Sequence, residues 1–320
     1  MCLSLQFFNT INDLPEYYVA AKLALSGKGA LIYKAQEFYA AQEQFFPGGG
    51  HGVLLFILPP GILWLLPLAA IPASMAPTAW TALLQITLML TIILFARFFR
   101  LKYLDTLLLW CFTFFSGPAI DGVRIGQIAP FLLLALCGLL SALNSSNAVV
   151  AGISLAFFML KPQQIFPFAI FLFGAGRYRI LLIAAVIAAA FAVGSYFLIG
   201  SEGYQNYLQL VNDPASLKIM QPELNPTIRG QLCRILGVEN KIVSVVSGIC
   251  YTLIAGFVFF LGRTTNMASK TIEKDSDKKA PSESSSNNSD TDNSSKSTKF
   301  GDSTDPNLRN NWIQTILLGV

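Results

Sequence analysis

Residues 78–99 read TAWTALLQITLMLTIILFARFF, and Arg97 is the one charged side chain among them. At 1.5 Å of rise per residue, a helix of this length crosses the ~30 Å hydrocarbon core of a bilayer. A second feature fixes its polarity. Arg97, Arg100 and Lys102 gather at its end, and Lys/Arg clusters beside spans stay on the cytoplasmic side. The whole composition agrees: 53% of residues are hydrophobic and only 12% are charged, against about 25% charged in a soluble domain. The chain reads as an all-α polytopic membrane protein.

Working outward, further apolar runs cover 53–71, 103–115, 128–143, 148–160, 165–175, 180–199 and 242–262. Basic residues recur at Arg177 and Arg179 and again at Arg263. With all three basic clusters in the cytoplasm, the turn at 116–127, Lys161 and the polar loop 200–240 share the opposite side. Each run between them then crosses once. The run 53–71 is different, because Pro59, Pro60 and Pro67 interrupt it. Proline removes a helix hydrogen bond and breaks the ladder, so 53–77 either dips in and returns as a broken re-entrant pair, or it spans and one later short run does not.

The ends of the chain read otherwise. Residues 1–52 form a polar first outer loop, with LPEYYVAAKLALSG (14–27) and AQEFYAAQEQFF (35–46) as short amphipathic helices lying in the interface, apolar side down. Residues 263–310 are rich in Ser, Asn, Asp and Lys, too polar to bury a core, and form a disordered hydrophilic linker. The final WIQTILLGV (312–320) begins an apolar helix and stops, and MCLSLQFF lacks the basic region of a signal peptide. The expectation is a chain truncated at both ends, with 311–320 the start of a transmembrane helix.

Several classes of chemistry find no support. The net charge of +4 comes from basic residues scattered between apolar runs, which is no nucleic-acid patch. The cysteines Cys2, Cys111, Cys137, Cys233 and Cys250 have no paired spacing, and His51 is the only histidine, so no zinc site is expected. GGGHG (49–52 and the glycine before) is a flexible turn, not a phosphate loop.

Charged groups at membrane depth are costly and mark function. The candidates are Asp105, Asp121, Arg124 and Lys161. Lys161, in FFMLKPQQIF, either snorkels to a headgroup or holds a lipid phosphate. GPAIDGVRIGQIAP (117–130) carries Asp121, Arg124 and Gln127 in a glycine-rich turn. It reads as an ordinary Asp–Arg turn or as a ligand-binding one. LNPTIRGQLCRILG places Arg229 and Arg234 in the last polar loop, as a solvated helix or as further cations for a ligand. Asp13 precedes its helix and reads as an N-cap.

Taken in order, these pieces resemble glycosyltransferase family 87, also known as DUF2029. The likeness rests on Asp13 followed by YYVAAKLALSG and Tyr33, on LPPGILWLLPLAAIP with Pro59 to Pro72, on Gly126–Gln127, and on AGISLAFFMLKP ending at Lys161–Pro162. The late loop NPTIRGQLCRILG matches more loosely, and Leu58 and Thr227 depart from the usual tyrosine and serine. The resemblance implies a GT-C-like helical bundle. It implies transfer of a hexose, mannose above all, from a polyprenyl-phosphate-linked donor to a hydroxyl of a glycan or glycolipid acceptor. The site would lie on the outer face of a bacterial plasma membrane. Asp13 would be the general base, ionised near its ordinary value of about 3.9, and the transfer would invert the anomeric centre. Lys161, Arg124 and Arg229 would hold the donor phosphate. Tyr17, Tyr18, Tyr33 and Gln127 would contact substrate. No metal and no cofactor are expected, and the partners are membrane lipid, donor and acceptor. A transporter or flippase, or an inactive membrane fragment, is the alternative reading.

Overall fold

The structure, a computed structural model, describes residues 13–47, 54–213, 227–236 and 241–279, with side chains to Met267 in the last stretch. The expectations for 280–310, for 311–320 and for His51 fall outside the described residues. Among those described, all regular structure is helical, as the all-α membrane reading requires.

Helix α1 spans Leu14–Leu25, with Pro15 in the first turn, where its missing N–H costs nothing. It ends at Ser26 and Gly27, the latter at φ +73°. A 3-10 turn follows at Gly29–Tyr33, and α2 covers Ala35–Phe45. Helix α2 buries one side only, through Phe38 and Gln42. Helix α1 does not. Leu14 to Ala21, Leu23 and Ala24 are all buried, so it is a core helix rather than one lying apolar side down. Its alanines at 20, 21 and 24 are small enough for neighbours to close over every face. Tyr18 and Tyr33 join it in the largest hydrophobic cluster.

The proline-broken segment resolves into 3-10, α and 3-10 turns over Pro59–Ala70. At 1.5–2.0 Å per residue it reaches about 20 Å, short of a full crossing. It packs on α1 instead, and its first turn packs on a later apolar helix.

The bundle proper begins with α3, Ala76–Phe99. It buries Trp80, Leu84, Thr87, Leu88, Thr91 and Ile92, while Leu83, Ile86, Met89, Leu90 and Ile93 face outward. Thr87 and Thr91 satisfy their buried hydroxyls by donating to Leu83 O at 2.7 Å and Thr87 O at 2.8 Å. Helices α4, Tyr103–Phe115, and α5, Gly117–Ile125, meet at a 55° bend. Ser116 caps α5 by accepting from Ala119 N, and Gly126 at φ +77° closes it. Then come α6, Ala129–Asn144, and α7, Ala148–Phe157, extended by a 3-10 turn to Leu160. Helix α8 spans Pro162–Gly174, and α9 spans Tyr178–Asn212. Helix α10 covers Ile228–Leu236 and α11 covers Lys241–Lys279. Three of these, α3, α9 and α11 to Met267, are long and apolar enough to cross a membrane alone, and the bent α4–α5 pair is a fourth candidate.

Two boundaries differ from the sequence reading. The polar stretch after 200 starts as helix: α9 breaks at Gly200 (φ 69°, ψ 177°) and continues to Asn212. That second half docks on the Gly29–Tyr33 turn. Asn206 donates to Ala30 O at 2.9 Å, and Tyr33 meets Tyr207 edge-on at 5.1 Å. Likewise α11 runs past 263 to Lys279. Extending an existing helix gains one hydrogen bond per residue with no nucleation cost, so this polar stretch with its four lysines follows the span as helix.

Helices α8 and α11 pack by backbone contact. A Cβ on Gly174 would collide with Phe259 O, and one on Gly262 with Phe171 O. Small residues that allow close approach are the usual means of joining helices in lipid.

Candidate active site

The first described residue of the chain is pinned to the bundle. Asp13 N donates to Ile125 O across 2.7 Å. Next to that point, Trp80 of α3 donates its indole N–H to Gly126 O at 2.8 Å and packs on Tyr17 with ring centroids 5.9 Å apart. The glycine turn that ends α5 therefore anchors both the start of α1 and the start of α3.

On this anchor α1 presents Asp13, Glu16 and Tyr17, one helical turn of polar atoms. The Tyr17 hydroxyl donates to Asp13 Oδ2 at 3.3 Å. Asp13 takes no cap bond with its side chain, so the N-cap alternative is not realised. Glu16 lies beside the same hydroxyl and is only 7% exposed. Its Oε2 has no hydrogen-bond partner among the described residues. Lys161, half-buried at the α7–α8 junction, is near enough to act electrostatically on both carboxyls.

These surroundings correct one expectation. Asp13 does not keep the ordinary value of an aspartate. Burial raises it, and the Tyr17 hydroxyl and the Lys161 charge only partly oppose that. Burial pushes Glu16 well up, and the Asp13 charge adds to the effect. Both carboxyls are thus harder to ionise than usual, Glu16 more so than Asp13. Neighbouring acids pushed apart in this way suit acid–base chemistry. Tyr17 is buried to 3% exposure and its phenol is raised well above the ordinary range by burial and by both acids, so it stays a donor.

The other predicted residues are placed as follows. Gln127 is half-buried, one residue after the Gly126 carbonyl that Trp80 holds. Arg124 sits in the last turn of α5 and is exposed. Arg229 is exposed on α10, which packs on α11. Tyr18 and Tyr33 are buried, with hydroxyls donated to Ile71 O and Ile57 O, both at 2.8 Å. Phe45 and Phe46 flank the Tyr18 ring. The structure thus brings Asp13, Tyr17 and Lys161 together, with Gln127 nearby in sequence to the anchor. Among the described residues no three His, Cys, Asp or Glu side chains group together.

Glu16 and Trp80 were missed. In sequence, a glutamate in a first turn reads as an ordinary dipole-favoured surface acid. Its spacing of three from Asp13 was the available signal, since residues three apart share a helix face.

Comparison with known proteins gives one match. The model of glycosyltransferase family 87 matches residues 56–271. No curated protein and no solved structure matches the chain. The matched span includes Lys161, Arg124, Gln127 and Arg229 and begins after Asp13. It covers more than half of the chain, its ordered proline, Gly–Gln and Lys–Pro motifs lie within it, and the helices are those of a membrane protein: the chain belongs to glycosyltransferase family 87, a family of membrane glycosyltransferases.

Proposed function

We propose that the chain transfers a hexose, mannose by preference, from a polyprenyl-phosphate donor to a hydroxyl of a glycan or glycolipid, on the outer face of a bacterial plasma membrane. The observation that carries this reading is the Tyr17 hydroxyl bonded to Asp13 within the field of Lys161. Asp13 takes the proton of the acceptor hydroxyl as its oxygen attacks the anomeric carbon. The bond from that carbon to the phosphate oxygen breaks, and its electron pair leaves with the lipid phosphate. Attack opposite the phosphate inverts the centre. A base is most useful when its proton affinity lies near working conditions, so the raised value of Asp13 favours the role.

Lys161 supplies the positive charge that the leaving phosphate needs, with Arg124 and Arg229 as further cations along the same lipid. Tyr17 keeps Asp13 oriented and ionisable. Tyr18 and Tyr33 hold the shape of the loop that carries Asp13, and Gln127 offers an amide to substrate. No cofactor enters this scheme, because the donor is already activated by its phosphate. The test is a transfer assay with the purified chain in lipid vesicles. Labelled mannose should move to a glycolipid acceptor from polyprenyl-phosphate mannose and not from a nucleotide sugar. Transfer from the nucleotide sugar alone would overturn the donor class.

A further inference from the structure

Glu16 is an expensive residue for this fold. A buried polar group without a partner costs stability that an apolar side chain of the same size would not. Glu16 is 7% exposed, and its Oε2 is unpartnered among the described residues. The other such buried atoms belong to Trp64, Asn144 and Ser247, all neutral side chains. Glu16 is the ionisable one, and it lies on the helix turn that carries Asp13, beside the Tyr17 hydroxyl and within the field of Lys161. Such an orphan in a native core calls for a specific explanation.

We infer that Glu16 is a second binding carboxyl of this site, whose free oxygen takes up a hydroxyl of the sugar. The inference rests on the glycosyltransferase reading and deepens it. The geometry suits the role. Residues 13 and 16 project from one face of α1, so a sugar whose reacting oxygen meets Asp13 presents its neighbouring hydroxyls toward Glu16. Carboxyls are good partners for such hydroxyls, since either oxygen accepts and the protonated form also donates. Burial raises Glu16 and so favours the neutral form, which does both.

The experiment compares wild type, Glu16→Gln and Glu16→Met in detergent, using two probes: methyl α-mannopyranoside for the sugar and dodecyl phosphate for the lipid phosphate. Removing an unpaired buried polar group should leave the Met variant melting at or above wild type. Its affinity for the glycoside should fall about tenfold, the loss of one good hydrogen bond. Its affinity for dodecyl phosphate should stay within about twofold, because Lys161 is untouched. Glu16→Gln, which still donates and accepts, should keep most of the glycoside affinity. A Met variant that binds the glycoside like wild type overturns the Glu16 assignment and leaves the transferase reading standing. A wild-type chain that binds neither probe overturns both readings together.

Discussion

The backbone amide of Asp13 and the carbonyl of Ile125 are 2.7 Å apart and joined by a hydrogen bond. The bond ties the carboxylate that starts α1 to the turn that ends α5, more than a hundred residues away in the chain. Because it uses backbone atoms, it survives a change of side chain, which makes Asp13 unusually open to a clean test.

Asp13→Asn removes the basic oxygen and keeps the anchor. Turnover should fall by about 10² to 10⁴, the range for loss of a positioned base, with donor lipid still bound and melting temperature unchanged or slightly higher. Parallel measurement of turnover, donor affinity and melting checks this. Normal turnover would remove the base from Asp13.

Tyr17→Phe deletes the hydroxyl that donates to Asp13. That donor favours the ionised carboxylate, so its loss raises Asp13 further. Activity that needs the ionised base rises with pH through the Asp13 value, and the variant's acid limb should therefore move to higher pH. The pH profile of kcat/KM in both proteins decides it; a limb moving to lower pH would contradict the hydrogen bond.

Glu16 makes stability depend on pH. Its folded value is well above the ordinary 4.5 because burial penalises the charge. The folded state then keeps a proton that the unfolded chain releases, so its contribution is fully present below about 4.5 and is lost as pH rises through the folded value. Melting temperature should fall across that window. Glu16→Gln should flatten the decline, as thermal melts from acid to neutral pH will show.

Lys161→Ala should act on the donor in both ground and transition states. The prediction is weaker donor binding together with lower turnover, a pattern distinct from that of Asp13→Asn. Dodecyl phosphate affinity gives a second readout, and unchanged phosphate binding would return Lys161 to a headgroup-snorkelling role.

Gly262→Leu places a side chain where Phe171 O and the backbone at Ala175 already lie. Helices α8 and α11 cannot then keep their close contact. Overpacking of this kind costs about 1–3 kcal/mol or more, and the variant should lose detergent-stable protein. Gly256→Leu, on the same helix with open space around it, should be tolerated, and size-exclusion profiles of the two will tell them apart.

The sequence alone determined the class of the fold and its three longest apolar helices, because a bilayer imposes a strong one-dimensional rule. Runs such as 78–99 must be apolar over ~30 Å, and Lys and Arg must collect at one end. It also singled out Lys161, since charge beside such runs is rare, and the family resemblance pointed to Asp13. What it did not contain was burial. Whether α1 lies on an interface or inside a core depends on what closes over it, and LPEYYVAAKLAL is compatible with both. Local residue spacing put Glu16 near Asp13, but only the packing of α3, α5 and the proline-broken segment around α1 withdrew it from water and left its oxygen free. The proton affinities of both acids follow from that enclosure, because the cost of charge depends on surroundings contributed by residues distant in the chain.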